Sequence, residues 1–234
     1  MDYKGHFALR EGRCHPLSIL DDHSRFALAV AACPNERRET VQAELSRTFQ
    51  CYGLPERILL DNGSPWGASD LESATALTVW LMRLGVEVHH GGAYHPQTQG
   101  KVERFNQTLL VEVIGQRLLP DLMTCQQRFD AWRDVYNFER PHEALGLAVP
   151  ASRYQMSVHR FPETLPPIEY GTYDIVRKVQ AGGEINFRNR EFKIGKGFHG
   201  QPVALRPTTT DGVYDVFFCQ SKVATIDFRT YTTA

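Results

Sequence analysis

Three acidic residues, far apart along the chain, stand where carboxylates could bind metal ions. Asp2 begins the first predicted strand, Asp61 follows a short apolar run, and Glu103 lies in a long predicted helix just after a glycine-rich loop. Carboxylate oxygens are hard donors that suit Mg²⁺ or Mn²⁺. Two such ions, roughly 3.5–4 Å apart, can clamp the attacking and leaving oxygens of an in-line phosphoryl transfer. The three residues therefore predict a two-metal phosphoryl-transfer site if the fold brings them together.

Each of these carboxylates also has an ordinary structural explanation. The Asp61–Gly63 sequence is a common turn, and the face of the helix that carries Glu103 could simply be solvated. Asp21 and Asp22 are rival ligands because they too follow a strand. Residue types and spacing alone leave these alternatives open.

Basic side chains near the carboxylates could hold DNA phosphates. These are His90, His95, Lys101 and Arg104. The net charge of −1 predicts nothing about nucleic acid for the chain as a whole. Residues 171–234 nevertheless carry nine basic and six acidic residues, whereas residues 1–170 carry 17 and 21. A mildly acidic first part suits a metal site, and a mildly basic tail suits phosphate binding.

The elements that must position these residues alternate between strands and helices. Apolar patterns and turn residues predict strands in 1–9, 15–21, 25–32, 57–60 and 86–89. Helical spacing predicts helices from Pro34 to Gly53, over 70–84, from about 97 to 117 and from about 124 to 138. This order predicts an α/β domain with a mixed sheet flanked by helices, of the ribonuclease-H type.

The last third of the chain has a different pattern. Pro162, Pro166 and Pro167 indicate a linker over 157–170. Residues 171–234 then show period-two patterns broken by glycine turns, which is typical of a small all-β barrel. We therefore expect a core domain over 1–156, a linker over 157–170 and a β domain over 171–234.

The composition is that of a globular protein able to bury a core. The 234 residues are 42% hydrophobic and 23% charged. No stretch approaches the roughly 18 apolar residues that a membrane helix needs, and the first residues contain no apolar run typical of a secretory signal. The five cysteines include no C-x-x-C pair, which argues against a zinc site or a disulfide framework. We expect a cytoplasmic protein.

Five segments, taken in order, resemble the catalytic core of a known enzyme family. They are MDYKGHF, LSILDDHSRFALA, YGLPERILLDNGSPW, GGAYHPQTQGKVERFNQTL and YNFERPHEALG. Together they resemble the retroviral-integrase-like core, with its Asp-Asp-Glu triad, of bacterial insertion-sequence transposases. The resemblance covers residues 1 to about 155, and H-P-Q-T-Q-G-K-V-E-R-F-N is its most specific part.

The resemblance implies an activity and a site. Its acidic triad falls on Asp2, Asp61 and Glu103, which would be both catalytic residues and ligands of two Mg²⁺ or Mn²⁺ ions. The implied reaction is DNA 3′-end cleavage followed by strand transfer, on transposon ends and target DNA, by a homo-oligomer. Asp21 and Asp22 then belong to a structural turn. The residues expected to contact DNA are His95, Gln99, Lys101, Arg104, Asn106, Arg140, Arg188, Arg190 and Lys193.

Other parts of the resemblance leave alternatives open. The Y-N-x-x-R-P-H segment, with Asn137, Arg140 and His142, would pack beside the site or contact DNA, or simply end a helix at Pro141. The tail resembles the SH3-like barrel that follows integrase cores, although its basic residues could form a solvated β surface. Full-length relatives carry an upstream helix-turn-helix region, so we expect this chain to be a fragment, a split product or a remnant.

Two other functions therefore stay possible on the sequence. The first is a ribonuclease-H-like nuclease that only hydrolyses, and the second is a non-catalytic DNA-binding remnant. The Y-N-x-x-R-P-H segment and the predicted barrel weigh against the first, and the expected lack of an upstream region keeps the second open.

Overall fold

The computed structural model describes residues 1–67, 74–91, 96–116 and 118–229, and gives the backbone alone for residues 96–99. The chain packs into two compact units. The first contains Met1–Pro55 and Gly91–Phe161, and the second contains Glu56–His90 and Pro162–Ala234. These units are defined by packing and interleave along the chain. The predicted domain boundaries at 156 and 171 therefore stay a prediction.

The first unit contains an antiparallel sheet built around one long strand. Its four strands are β1 (Asp2–Tyr3), β2 (Phe7–Ala8), β3 (Arg13–Leu20) and β4 (Ala27–Cys33). β1, β2 and β4 all pair antiparallel with β3. The first predicted run is thus two short strands, because Gly5 between them has a φ of +86°, which a continuous strand does not allow. In this register Asp2 lies opposite Ser18.

The described part of the first unit also contains three α-helices: α1 (Arg38–Tyr52), α3 (Pro96–Glu112) and α4 (Leu122–Phe138). α1 buries Val41, Leu45 and Phe49, as the helical spacing predicts, and ends at Gly53. Asp121 caps α4 by accepting a hydrogen bond from the Thr124 amide at 2.7 Å. The core between the sheet, α3 and α4 is apolar and includes Cys14, Val30, Phe105, Leu109, Val113, Cys125 and Phe129.

The second unit contains the remaining helix and two parallel strands. β5 (Arg57–Leu60) pairs in parallel with β6 (Glu87–His90), and α2 (Ala76–Arg83) lies between them in sequence. The described part of the predicted helix over 70–84 begins at Ala76, and residues 68–73 lie outside the described part. Thr75 begins α2 with a capping box to Thr78.

The C-terminal part of the second unit is all-β and antiparallel. Its strands are β7 (Ile175–Lys178), β8 (Glu184–Phe187), β9 (Arg190–Lys193), β10 (Pro202–Pro207), β11 (Val213–Phe218) and β12 (Ser221–Asp227). They form a four-stranded sheet in the order β12-β11-β10-β7 and a separate β8–β9 hairpin. The predicted strands are confirmed, but closure into a barrel is not shown and stays a prediction.

Two further expectations concern membranes and thiols. No helix in the described ranges is long and apolar enough to cross a bilayer. The five cysteines are free. Cys14 and Cys125 face each other in the first unit's core, with their sulfur atoms 3.7 Å apart.

Candidate functional site

A chain of hydrogen bonds holds Asp2 against α3. The Ser18 hydroxyl donates to Oδ1 of Asn106 at 2.7 Å, and Nδ2 of Asn106 donates to Oδ2 of Asp2 at 3.1 Å. Ser18 and Asn106 are 0% and 1% exposed, whereas Asp2 is half-buried. Because buried polar groups need partners, these bonds fix the geometry of all three side chains. Asp2 is therefore anchored at the edge of the sheet by a residue of α3.

Glu103 lies one helical turn before Asn106 and is exposed to solvent. Residues three apart on an α-helix are neighbours on the same side. Phe105 and Leu109, which are buried, fix the rotation of α3 on the core. The hydrogen bond from Asn106 to Asp2 therefore brings the turn that carries Glu103 to the edge of the sheet where Asp2 lies.

Asp61 belongs to the second unit, directly after β5. Its backbone carbonyl accepts a hydrogen bond from Nδ1 of His90 at 3.0 Å, which joins the ends of the parallel strands β5 and β6. A carboxylate at the carboxyl end of a parallel strand occupies a position where open sheets bind ligands. The strand-end position of Asp61 that the sequence predicts is confirmed.

The three carboxylates form a donor set that suits Mg²⁺ or Mn²⁺ by its chemistry. Asp2 and Glu103 lie in the first unit, and Asp61 lies in the second. Within the described ranges, no group of three or more His, Cys, Asp or Glu side chains is arranged to hold a metal ion. The convergence of the three carboxylates therefore stays a prediction.

The two rival carboxylates have structural partners in the β3–β4 turn. Oδ2 of Asp21 accepts hydrogen bonds from the amide and the hydroxyl of Ser24, at 2.8 and 2.5 Å. Both carboxylate oxygens of Asp22 accept from Nζ of Lys101 at 2.7 Å. Arg25 in the same turn has a φ of +64°. These contacts agree with the structural role that the family resemblance implies for Asp21 and Asp22.

The side chains of α3 that were predicted to contact DNA have varied surroundings. Lys101 is already paired with Asp22, and Arg104 is exposed. Asn106 is buried, and its contacts give it a different role, which is to hold Asp2. His95 lies outside the described residues, and so does the side chain of Gln99. DNA contacts by these residues stay predictions.

The Y-N-x-x-R-P-H segment packs on the first unit. Asn137 is 1% exposed and holds both backbone groups of Ala27: its Oδ1 accepts from the amide at 2.8 Å, and its Nδ2 donates to the carbonyl at 3.0 Å. The ring of His142 lies against Tyr136, with centroids 4.7 Å apart. Because the two polar ends of Asn137 bond the start of β4, this segment ties α4 to the sheet.

Arg140 in this segment forms an ion pair that links two helices. Its Nη2 donates to both oxygens of Glu112, at 2.6 and 2.5 Å, and Nε1 of Trp132 donates to the same carboxylate at 2.7 Å. Partial burial raises the pKa of Glu112, but the hydrogen bonds from Trp132 and Arg140 outweigh it and lower that pKa overall. Arg140 thus joins α4 to the end of α3, and a DNA contact by it stays a prediction.

Arg188 and Arg190, in the β8–β9 hairpin, lie against aromatic rings of the C-terminal region. Arg188 is exposed in the hairpin turn, and its guanidinium carbon lies 5.1–5.7 Å from three ring centroids, those of Phe187, Tyr214 and Phe228. Arg190 donates to the carbonyl of Phe228 at 3.0 Å, and Lys193 is exposed on β9. Stacking on rings orders a guanidinium at the surface. Contacts of these three residues with DNA stay predictions.

Ser18 belongs to the hydrogen-bond chain at Asp2, although the sequence analysis did not single it out. A serine inside the apolar run L-S-I-L was the available indication, because a buried hydroxyl needs a partner. Its partner, Asn106, lies 88 residues further along the chain, so the spacing of residues in the sequence did not reveal this contact.

Comparison with known families identifies the class of this protein. Residues 1–96 and residues 84–150 each match the integrase core domain. This chain therefore contains an integrase core domain. Residues 174–234 match the C-terminal domain of IS481 family transposases. The chain thus joins an integrase core to the C-terminal domain of the IS481 transposase family, as the resemblance predicted for the core.

Similar proteins occur in bacterial insertion elements. An uncharacterized 31.7 kDa protein of insertion element IS407 from Burkholderia multivorans is 26% identical over 145 residues, which cover 62% of this chain and 50% of that protein. An uncharacterized protein of insertion element IS136 from Agrobacterium fabrum is 29% identical over 140 residues, which cover 56% of this chain and 69% of that protein. The chain thus matches only half of the Burkholderia relative.

A solved structure shares the fold. One chain of the simian T-cell lymphotropic virus intasome, solved by cryo-EM in complex with PP2A regulatory subunit B56 gamma, aligns with a TM-score of 0.52. The alignment covers 95% of this chain and 77% of that chain at 16% identity. At this identity the likeness supports a common fold and does not transfer an activity.

Proposed function

We propose that this protein is a transposase that cleaves the 3′ ends of its element and joins them to target DNA. Asp2, Asp61 and Glu103 are the catalytic carboxylates. Both steps are in-line displacements at phosphorus, so one site serves both. Neither step needs a covalent bond between protein and DNA.

The observation that carries this proposal is the hydrogen bond from Asn106 to Asp2. It holds the first carboxylate against the helix that supplies the third, one turn away. A solvated helix surface would not require a buried amide aimed at a carboxylate. The integrase core over residues 1–96 and 84–150 supports the same assignment.

The metal would be Mg²⁺ or Mn²⁺, with two ions in the active complex. Asp2 and Asp61 would hold one ion together, and Glu103 would hold the second. Bound there, the ions would activate the attacking oxygen and stabilise the leaving oxygen. Three carboxylates at one place repel one another without cations. We therefore expect the site to assemble fully only when metal is present.

DNA is the expected partner, both as element ends and as target. The predicted contacts are His95, Gln99, Lys101, Arg104 and Arg140 in the core, and Arg188, Arg190 and Lys193 in the C-terminal region, whereas Asn106 is buried and holds Asp2. Transposition joins two ends at one target, so a homo-oligomer assembled on DNA is expected. We propose that the C-terminal region is an SH3-like barrel that binds the DNA backbone.

A strand-transfer assay tests this function. The full chain is incubated with Mn²⁺, a plasmid target and a labelled duplex that carries a pre-cut element end. The proposal predicts a joined product. Cleavage without joining would instead favour a nuclease that only hydrolyses, and salt-dependent binding without either reaction would favour a non-catalytic DNA-binding remnant.

A pair of matched variants makes this assay specific to the site. Glu103→Gln removes one charge from the proposed triad, and Glu139→Gln makes the same change at an exposed position at the end of α4. We expect Glu103→Gln to abolish joining and to keep salt-dependent DNA binding. Glu139→Gln should join at the rate of the unmodified chain. Equal activity of the two variants would remove Glu103 from the site.

A further inference from the structure

Ser18 is a polar residue buried inside an apolar strand. Its neighbours Leu17 and Ile19 are 0% and 5% exposed, and Ser18 itself is 0% exposed. A hydroxyl with no access to water must find a partner within the protein. The Ser18 hydroxyl donates to Oδ1 of Asn106 at 2.7 Å, across from β3 to α3.

This contact decides which way the Asn106 amide points. The oxygen and nitrogen of a side-chain amide have nearly the same size, so their hydrogen-bond partners determine the orientation. An ionised Asp2 can only accept hydrogen bonds, so the amide nitrogen has to face it. The amide oxygen then faces the opposite way and needs a donor. The Ser18 hydroxyl is that donor.

We propose that Ser18 is a positioning residue for Asp2 and that it acts through Asn106. By holding the amide oxygen, Ser18 keeps the amide nitrogen on Oδ2 of Asp2 and so keeps that carboxylate in one orientation. The inference rests on the proposed function, because it assigns the orientation of Asp2 to cation binding. It adds Ser18, a residue of β3, to the proposed site.

The register of the sheet supports this role. Asp2 and Ser18 are directly paired across β1 and β3, so the backbone already places the two residues side by side. Asn106 bridges them from above the strands, with one end on each residue. Through these two hydrogen bonds, a change at Ser18 can reach Asp2 by way of Asn106.

Mn²⁺ binding by the full chain without DNA gives a readout that does not depend on activity. We would measure the Mn²⁺ dissociation constant by calorimetry for the unmodified chain, Ser18→Ala, Ser18→Thr and Asp2→Asn. Loss of a group that orients a metal ligand typically costs about tenfold to a hundredfold in metal affinity. We expect about a tenfold loss for Ser18→Ala and near-normal affinity for Ser18→Thr, which keeps the hydroxyl.

Ser24→Ala is the matched control. Ser24 is also a 0% exposed serine of the first unit, and its hydroxyl bonds Asp21 instead of Asn106. Ser24→Ala should lower the thermal midpoint much as Ser18→Ala does, while its Mn²⁺ affinity stays unchanged. If Ser18 had only a structural role, Ser18→Ala and Ser24→Ala would have the same Mn²⁺ affinity.

A double-mutant cycle tests the route through Asn106. If Ser18 acts through this amide, Ser18→Ala has no further effect on Mn²⁺ affinity in a chain that already carries Asn106→Ala. The side-chain amide resonances of Asn106, observed after ¹⁵N labelling of asparagine, give a second readout. They should shift in Ser18→Ala and stay in place in Ser24→Ala, even if the first variant is only marginally stable.

The outcomes separate this inference from the proposed function. If the unmodified chain and Asp2→Asn bind Mn²⁺ equally, the proposed function is wrong and the inference fails with it. If Asp2→Asn loses affinity while Ser18→Ala keeps it, only the role of Ser18 is overturned. A full tenfold effect of Ser18→Ala in the Asn106→Ala background would also overturn it.

Discussion

Asn106 donates a hydrogen bond to Asp2 over 3.1 Å, although the two residues are 104 positions apart in the sequence. The bond ties the first strand of the chain to the helix that carries Glu103. The bond thus anchors the carboxylate of Asp2, which lies on the two-residue strand β1. β1 itself contributes two residue pairs to the sheet, Asp2 with Ser18 and Tyr3 with Leu17.

Asn106→Asp should disturb this anchor while keeping the shape of the side chain. The new carboxylate would have no amide hydrogens and would face the carboxylate of Asp2. We expect a loss of about 1–3 kcal/mol in the free energy of unfolding, because a buried donor is lost and like charges meet. Urea denaturation measures it. Asn186→Asp, at an exposed position on β8, should change this free energy little.

Asn137→Ala should loosen the join between α4 and β4. The substitution leaves the buried amide and carbonyl of Ala27 without their side-chain partners. Each unpaired buried group costs about 1–3 kcal/mol, so the loss of both partners should lower the free energy of unfolding by about 2–6 kcal/mol. Asp134→Ala, at an exposed position on the same helix, is the control. Equal stability of the two variants would show that Asn137 does not hold the sheet.

Arg140 and Glu112 should be energetically coupled. A double-mutant cycle with Arg140→Gln and Glu112→Gln measures the coupling from urea denaturation. Because both side chains are partly exposed, we expect only about 0.5–1 kcal/mol. Additive effects would contradict the pairing.

The same two variants test whether Arg140 contacts DNA. A phosphate contact predicts that Arg140→Gln reduces the salt dependence of DNA binding by about one unit of slope while Glu112→Gln does not. Equal slopes for the two variants would leave Arg140 with the packing role alone.

His142 should make the protein less stable in mild acid. Burial, helped by the charges of Arg140 and Arg25, lowers the pKa of His142 below its ordinary value of 6.5 in the folded chain. As the pH falls below about 6.5, the unfolded chain takes up the proton first, which favours unfolding. The stability contribution is therefore complete above the unfolded pKa and is lost as the pH falls through the folded pKa.

The test compares urea midpoints between about pH 7 and pH 5. The unmodified chain should lose more stability over this interval than His142→Gln does. His23→Gln, at an exposed histidine of the β3–β4 turn, should follow the unmodified chain. A His142→Gln variant with the same pH dependence as the unmodified chain would show that this half-buried ring does not titrate with unfolding.

Local sequence patterns predicted most of the elements. The apolar residues Val102, Phe105, Leu109 and Val113 recur at helical spacing in and just after α3, and the last three are buried while Val102 is half-buried. The turn residues predicted the strand ends near Leu20 and Leu60. These features follow from periodicity and turn chemistry within a few residues, which a sequence displays directly.

The sequence did not predict the partners of the polar residues. Asn106 was expected to face DNA, yet it is buried because Ser18 and Asp2 supply both ends of its amide. Lys101 was also expected to contact DNA, and it reaches Asp22, 79 positions away. Such pairs depend on how distant elements pack, so the spacing of residues in the sequence carries no information about them.

A crystal of the full chain grown with Mn²⁺ can show the metal site itself. The anomalous scattering of manganese locates each ion independently of the protein density. If the three carboxylates share a cation site, manganese peaks will lie at coordination distance, about 2 Å, from oxygens of Asp2, Asp61 and Glu103. Manganese bound elsewhere, or bound without oxygens of all three carboxylates, would show that these residues do not form one catalytic centre.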